Sequence, residues 1–302
     1  MPDTAPGQAA EITEIPVAGP EDGPYGITAG PDGALWVTLV HSGEIARVEP
    51  AGTVERYAMG PGTRPSVITA GPDGALWFTL NESDAIGRLR PGGDLAVFAL
   101  PGSGGGPFGI TAGPDGALWF TLLTGGRIGR ITVDGDITEF PPAAGDAPMP
   151  SMIAAGADGA LWFTLNQANA IGRITPEGAT SVHPLPTEGA APVGITAGAD
   201  GALWFVEIGA GQVGRITVDG EVTEFPLADR AARPHAIAAG PGGACWFTEW
   251  GANRVGRITP DGTMTGYALP SPASEPHGIA AGPDGAVYAA LETGAVARLL
   301  PA

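Results

Sequence analysis

The stretch Gly113-Pro114-Asp115-Gly116-Ala117-Leu118-Trp119-Phe120-Thr121 holds two signals in nine residues. Its first four residues are turn chemistry, with Pro fixing φ and Gly supplying the positive φ that closes a tight hairpin. Its last five are small, apolar and aromatic, the composition of a buried strand. Near copies recur so that the aromatic falls at Trp36, Trp77, Trp119, Trp162, Trp204, Trp246 and Tyr288, at spacings of 41, 42, 43, 42, 42 and 42 residues. A period of about 42 marks an array of equivalent modules.

Each module reads as four strands. In the first, Tyr25–Ala29 and Ala34–Leu39 flank the turn, Glu44–Val48 forms a third strand and Thr53–Tyr57 a fourth. Four antiparallel strands in about 42 residues is one propeller blade, which predicts an all-β fold, a seven-bladed β-propeller. Only six fourth strands follow their modules. The seventh module stops after Val296–Leu300, whereas Ile12-Thr13-Glu14-Ile15-Pro16 copies the fourth-strand pattern. The N-terminal strand is therefore expected to close the last blade and remove an exposed sheet edge. Residues 1–302 read as a single domain with residues 1–10 as a loose tail.

The chain contains 50 Gly and 31 Pro, placed at matching turn positions in each repeat. Its formal net charge is −18, and all 14 basic residues are Arg. That balance repels phosphate backbones and anionic bilayers, so neither nucleic acid nor a membrane is an expected partner. Cys245, the single cysteine, replaces a Leu of the block and reads as a buried hydrophobe. The chain is expected to be a cytoplasmic monomer, with no leader-like run at its start and no long apolar segment.

An Arg closes every third strand (Arg47, Arg88, Arg130, Arg173, Arg215, Arg257, Arg298), and an Asp occupies six of the seven turns. Sevenfold repetition argues for scaffold, with these groups serving turns and blade-to-blade hydrogen bonds. Function should lie where repeats diverge. The residue after the Pro that opens each first strand runs Tyr25, Ser66, Phe108, Ser151, Val193, His235 and His277, and these side chains should ring one mouth of the channel. The residue before that Pro is Glu275 only in the last module, with Arg233 in the one before. Second strands return to the same mouth at Leu39-Val40, Leu80-Asn81, Leu122-Leu123, Leu165-Asn166, Glu207-Ile208, Glu249-Trp250 and Leu291-Glu292.

A hairpin centred near Asp284 pairs 277 near 291 and 275 near 293, so Glu275, His277 and Glu292 should converge while His235 approaches from the adjacent blade. Two carboxylates and an imidazole suit a divalent cation such as Mg²⁺ with an adjacent base. They equally suit solvated charges at loop ends, with the histidines satisfied by backbone carbonyls. His41 in a loop and His183 on an outer strand read as surface residues.

The repeated block, together with I-G-R-I-T, T-E-F-P-L, Arg233-Pro234-His235, Glu275-Pro276-His277 and Leu291-Glu292-Thr293, resembles the virginiamycin B lyase (streptogramin B lyase) family over essentially the whole chain. The resemblance implies a Mg²⁺-dependent carbon–oxygen lyase. Its substrate would be a small cyclic depsipeptide antibiotic, opened at the ester by β-elimination, which inactivates the drug. It further implies that His277 is the general base, His235 a substrate contact, and Glu275 and Glu292 the metal ligands. Tyr25, Phe108 and Trp250 would then wall the substrate. Two other classes are a metal-dependent propeller hydrolase or lactonase, and a non-catalytic propeller that binds peptide or glycan. The last block, Ala286-Val287-Tyr288-Ala289-Ala290, departs from the pattern and suggests looser packing behind Glu292.

Overall fold

A computed structural model describes residues 11–49, 52–60, 62–141 and 148–301. It contains seven four-stranded antiparallel sheets arranged as the blades of a ring. Blade one comprises Pro24–Ala29, Leu35–Leu39, Glu44–Val48 and Val54–Ala58, counted from channel to rim. Blade six comprises Pro234–Ala239, Cys245–Glu249, Arg254–Ile258 and Met264–Ala268. In blade seven, Pro276–Ala281, Val287–Leu291 and Ala295–Leu300 are completed by Glu11–Pro16, which pairs from Glu11↔Leu300 to Pro16↔Ala295. The N-terminal strand thus closes the ring. The tail expected over residues 1–10 lies outside the described residues. No helix among the described residues is long and apolar enough to cross a membrane.

The core is divided among the seams between blades. Trp119 of blade three packs with Ile153, Leu161, Phe163 and Leu165 of blade four, and every other seam repeats the pattern with Trp or, at the closure, Tyr288. All seven of these aromatics are at most 1% exposed. Burying a ring of that size stabilises each seam by about 2–3 kcal/mol. A fourth-strand aromatic covers the rim side of the Trp, as Phe140 does over Trp119 at 5.1 Å between ring centres. His183 takes that place over Trp162 at 5.4 Å and is a packing residue. The Gly of I-G-R is required by the Phe of the block. A Cβ on Gly129 would lie 2.1 Å from Phe120 Cζ.

That pairing explains the departure in blade seven. Ala289 replaces the Phe, Ala297 replaces the Gly beneath it, and both are fully buried. The methyl of Ala297 refills part of the space the missing ring leaves, and both positions stay closed to solvent behind Glu292.

The repeated polar residues divide their tasks differently from the sequence expectation. At the turn end, Asp115 Oδ1 accepts from Trp119 Nε1 at 3.0 Å and Oδ2 accepts from Arg130 Nε at 2.6 Å, within one blade. Blades one, four and five repeat both bonds. Of these arginines, only Arg88 reaches the next blade among the described residues, donating to Val133 O at 2.9 Å. The recurrent cross-seam hydrogen bond comes instead from the Thr of the block. Thr121 Oγ1 accepts from Gly109 N at 2.8 Å and donates to Ser151 O in the following blade at 2.6 Å. Thr38, Thr79, Thr164 and Thr248 donate in the same way to Ser66, Phe108, Val193 and His277. Val206 and Ala290 occupy the two remaining places and carry no hydroxyl, so the carbonyls of His235 and Tyr25 receive no such bond.

Candidate functional site

Every first strand carries a one-residue bulge directly after its Pro. In blade seven Pro276 faces Leu291, yet Ile279 faces Ala289, so the extra residue lies between them. A bulge leaves its residues outside the ladder and re-aims their side chains. The expected pairing of 277 with 291 is therefore shifted by one. Glu292 N donates to Ser274 O at 3.0 Å and to Glu275 O at 3.4 Å, which sets the two glutamates opposite each other.

Glu275 itself has φ +47°, and the residue before the Pro is also left-handed at Gly23, Gly106, Met149, Ala191 and Arg233. Holding a non-Gly residue there costs about 1 kcal/mol or more, a strain that the ring geometry imposes in blade after blade. In blade seven that backbone presents a carboxylate. One donor atom from each of Glu275, His277 and Glu292 lies within 4.8 Å of the others.

His277 Nε2 sits 2.7 Å from Glu292 Oε2. The His277 backbone is held by Thr248 across the seam at 2.8 Å. Its Nδ1 is buried without a hydrogen-bond partner among the described residues. His235, from blade six, meets His277 edge to face at 5.1 Å, and Tyr25, from blade one, lies 4.8 Å from His277 and 5.8 Å from His235 between ring centres. Three blades thus place two imidazoles and a phenol in one contact group. Burial, and then the neighbouring His277, push His235 down to about 3, so it is neutral at physiological pH. Burial and the Glu292 charge push the Tyr25 hydroxyl up, keeping it a protonated donor. Burial alone would raise Glu292, but hydrogen bonds from His277 and His41 outweigh it and hold the carboxyl below its ordinary value.

Beneath this group the channel forms a largely apolar cavity of about 140 Å³, lined among others by Ile27, Phe108, Met152, Val193 and Ile279. Above and beside it, a hollow of about 250 Å³ runs between Tyr25, Arg64, Ser66, Asn81 and Phe108. Tyr25 and Phe108 stand edge to face at 6.3 Å between the two spaces. Trp250 lies under the Arg233 guanidinium at 5.4 Å.

All four residues singled out from the sequence therefore stand together, but two polar neighbours do not join them. Glu207 is fully buried in its own blade, where its Oε2 accepts from Gln212 Nε2 at 2.6 Å, and Glu249 is 5% exposed. They hold the first place of the second-strand pair, whereas Glu292 holds the next, and alternate strand residues face opposite sides. Conversely, the sequence assigns His41 to the surface. It is exposed, yet its Nε2 lies 3.4 Å from Glu292 Oε1. Its place, one beyond the second-strand pair, lies over Gly23 rather than in the ring of residues beside the Pro.

A seven-bladed propeller with a Glu–His–Glu cluster at its channel mouth is the class of protein that fold and site define. The family model described as the virginiamycin B lyase family matches residues 10–299. The chain belongs to that family. It is similar to the virginiamycin B lyase of Saccharopolyspora erythraea, 67% identical over 45 residues, a stretch covering 15% of this chain and 15% of that protein. Among solved structures it resembles a streptogramin B lyase, with a TM-score of 0.92 and 44% identity over 96% of this chain and 97% of the other. It also resembles a catalytically inactive His-to-Ala variant of the virginiamycin B lyase from Staphylococcus aureus with quinupristin. There the TM-score is 0.92 and the identity 42%, covering 96% of this chain and 99% of that one.

Proposed function

We propose that this protein is a lyase that inactivates streptogramin B-type cyclic depsipeptides by opening their ester through β-elimination. The observation that carries the proposal is the Glu275–His277–Glu292 cluster at the channel mouth, with His277 Nε2 2.7 Å from Glu292 Oε2. Family membership and the likeness to a lyase structure with quinupristin support the substrate class.

The donor set fits Mg²⁺, which takes hard oxygen ligands and is commonly held by one or two carboxylates. Glu275 and Glu292 would hold it, and when bound it supplies Lewis-acid polarisation of the carbonyl beside the acidic C–H. His277 is the base. Its Nδ1 is buried, so Nε2 is the nitrogen directed at the mouth and the one able to take the proton. It takes the α-proton of the ester-bearing threonine unit, the C–H electrons form the Cα=Cβ bond, the Cβ–O bond breaks, and the carboxylate departs with that electron pair. In the geometry seen here Nε2 is shared with Glu292, so His277 acts as base once that carboxylate has another partner. His235 is uncharged and therefore serves as a hydrogen-bonding contact to the substrate rather than as an acid.

Mass spectrometry after incubation with a streptogramin B and Mg²⁺ tests this directly. Elimination gives a linear product of unchanged mass with a dehydrobutyrine end, whereas a product heavier by one water identifies a hydrolase. His277→Ala is expected to lower turnover by ~10²–10⁴-fold with Tm almost unchanged, and an active variant would overturn the assignment.

A further inference from the structure

The sequence leaves His41 without a task, and the structure sets it against one. The residue just beyond the second-strand pair runs His41, Glu82, Thr124, Gln167, Gly209, Gly251 and Thr293 around the ring, so only blade one offers an imidazole there. This place leans over the residue before the first-strand Pro. In blade three a Cβ on Gly106 would meet Thr124 Oγ1 at 2.9 Å, and in blade two Arg64 pairs with Glu82 at 2.8 Å. In blade one the partner is Gly23, the counterpart of Glu275, and a Cβ there would lie 2.4 Å from His41 Cδ2 and 2.8 Å from Nε2. The missing side chain of Gly23 is the space the ring occupies. Although exposed, the segment is pinned, since Val40 N donates to Gly23 O and His41 N donates to Asp22 O, each at 3.0 Å.

We infer that His41 is a positioning residue of this site, which holds the outer oxygen of Glu292 across the ring closure. Glu292 presents one oxygen to each of two imidazoles, Oε2 to His277 at 2.7 Å and Oε1 to His41 at 3.4 Å. A carboxylate anchored at one oxygen only can rotate about its last bond. Anchored from blade one as well, it keeps the orientation in which its atoms converge with those of Glu275. The inference rests on the reading of Glu275 and Glu292 as cation ligands, and partners of ligand residues typically change metal affinity by about 10–100-fold when lost.

Gly23 supplies a second, independent handle. Ala191 occupies the equivalent left-handed position in blade five with φ +48°, so the backbone tolerates Ala there. The distinctive effect of Gly23→Ala is collision with the His41 ring. The test measures affinity of the intact protein for Mn²⁺ alone, a cation with the same preference for octahedral oxygen ligands, following the free ion by electron paramagnetic resonance. His41→Ala is expected to weaken binding about tenfold, Gly23→Ala by a similar factor, and the double variant by no more than either single change, because both remove one contact. His41→Gln, whose amide nitrogen can stand where Nε2 stands, is expected to recover most of the affinity. A folded His41→Ala protein that binds Mn²⁺ as tightly as wild type, or single losses that multiply in the double variant, would overturn the inference while leaving the cation site in place. A wild-type protein that takes up no Mn²⁺ overturns the cation reading and this inference together.

Discussion

The two ends of each inner hairpin differ sharply in how far they are allowed to vary. At the turn end Asp, Trp and Arg recur with nearly the same bonds in blade after blade. At the mouth end the same strands deliver Tyr, Ser, Phe, Val and His at one place, and Gly, Arg, Met, Ala and Glu at another. The bulge behind each Pro is present in every blade, so the backbone holding those side chains is shared even where the side chains are not. Stability resides mainly in the seams and turns, and chemistry is added where one shared backbone carries different side chains from blade to blade, at Glu275 in spite of its left-handed φ.

Thr121 and Thr248 break or sharpen that contrast most strongly, because they are the same structural device at different distances from the site. Each hydroxyl satisfies one backbone N–H and one carbonyl, so Thr121→Val and Thr248→Val should destabilise alike, by about 1–3 kcal/mol. Only Thr248 holds the His277 backbone. A displacement of about 1 Å can cost ~10²-fold in rate, so Thr248→Val should lower kcat by about tenfold or more, while Thr121→Val leaves it unchanged in assays below both melting temperatures. Equal losses of activity would show that the mouth is not separable from the scaffold.

A smaller, opposite effect is expected where the turn end is incomplete. Gly242 stands in place of the Asp in blade six, and Trp246 Nε1 is buried without a partner among the described residues. A Cβ on Gly242 would meet only Arg257 Nη2, at 3.6 Å. Gly242 holds φ +69°, where a non-Gly residue costs about 1 kcal/mol or more, so Gly242→Asp sets that strain against two regained bonds of about 1 kcal/mol each and should raise Tm slightly with kcat unchanged.

A pH slope tests the second strand away from the mouth. Burial, opposed by the Gln212 hydrogen bond, pushes Glu207 up to about 7 from an ordinary 4.5. A raised folded-state pKa contributes stability that is complete below 4.5 and lost as pH rises through 7, because the unfolded chain releases its proton first. Glu207→Gln does not titrate. The Tm of wild type should thus fall relative to this variant between pH 4.5 and 8, and parallel pH curves would contradict the assignment. Differences in slope are the readout, since the new amide brings a buried donor of its own.

The fold was legible because the period, the turn residues and the displaced seventh outer strand are all local patterns that add up to one closed ring. The site residues were legible by subtraction, since Glu275, His277 and Glu292 depart from six other copies. What escaped was geometry below the level of pattern. One inserted residue in a first strand moves the pairing of His277 without changing composition. Strand parity, not polarity, sends Glu292 to the mouth and Glu207 into the blade. His41 escaped because its partner position is marked by the lack of a side chain at Gly23, which leaves no polar signature to notice.

The closure between Glu11–Pro16 and Ala295–Leu300 also orders events during synthesis. Blade one is complete once residue 58 has left the ribosome, yet the blade that carries Glu275, His277 and Glu292 gains its third strand only after residue 300 is made, and its outer strand waits exposed for that whole interval. Each new molecule is consequently inert until its earliest and latest strands meet, and a truncated translation product can hold most of the blades without holding any of the assembled site.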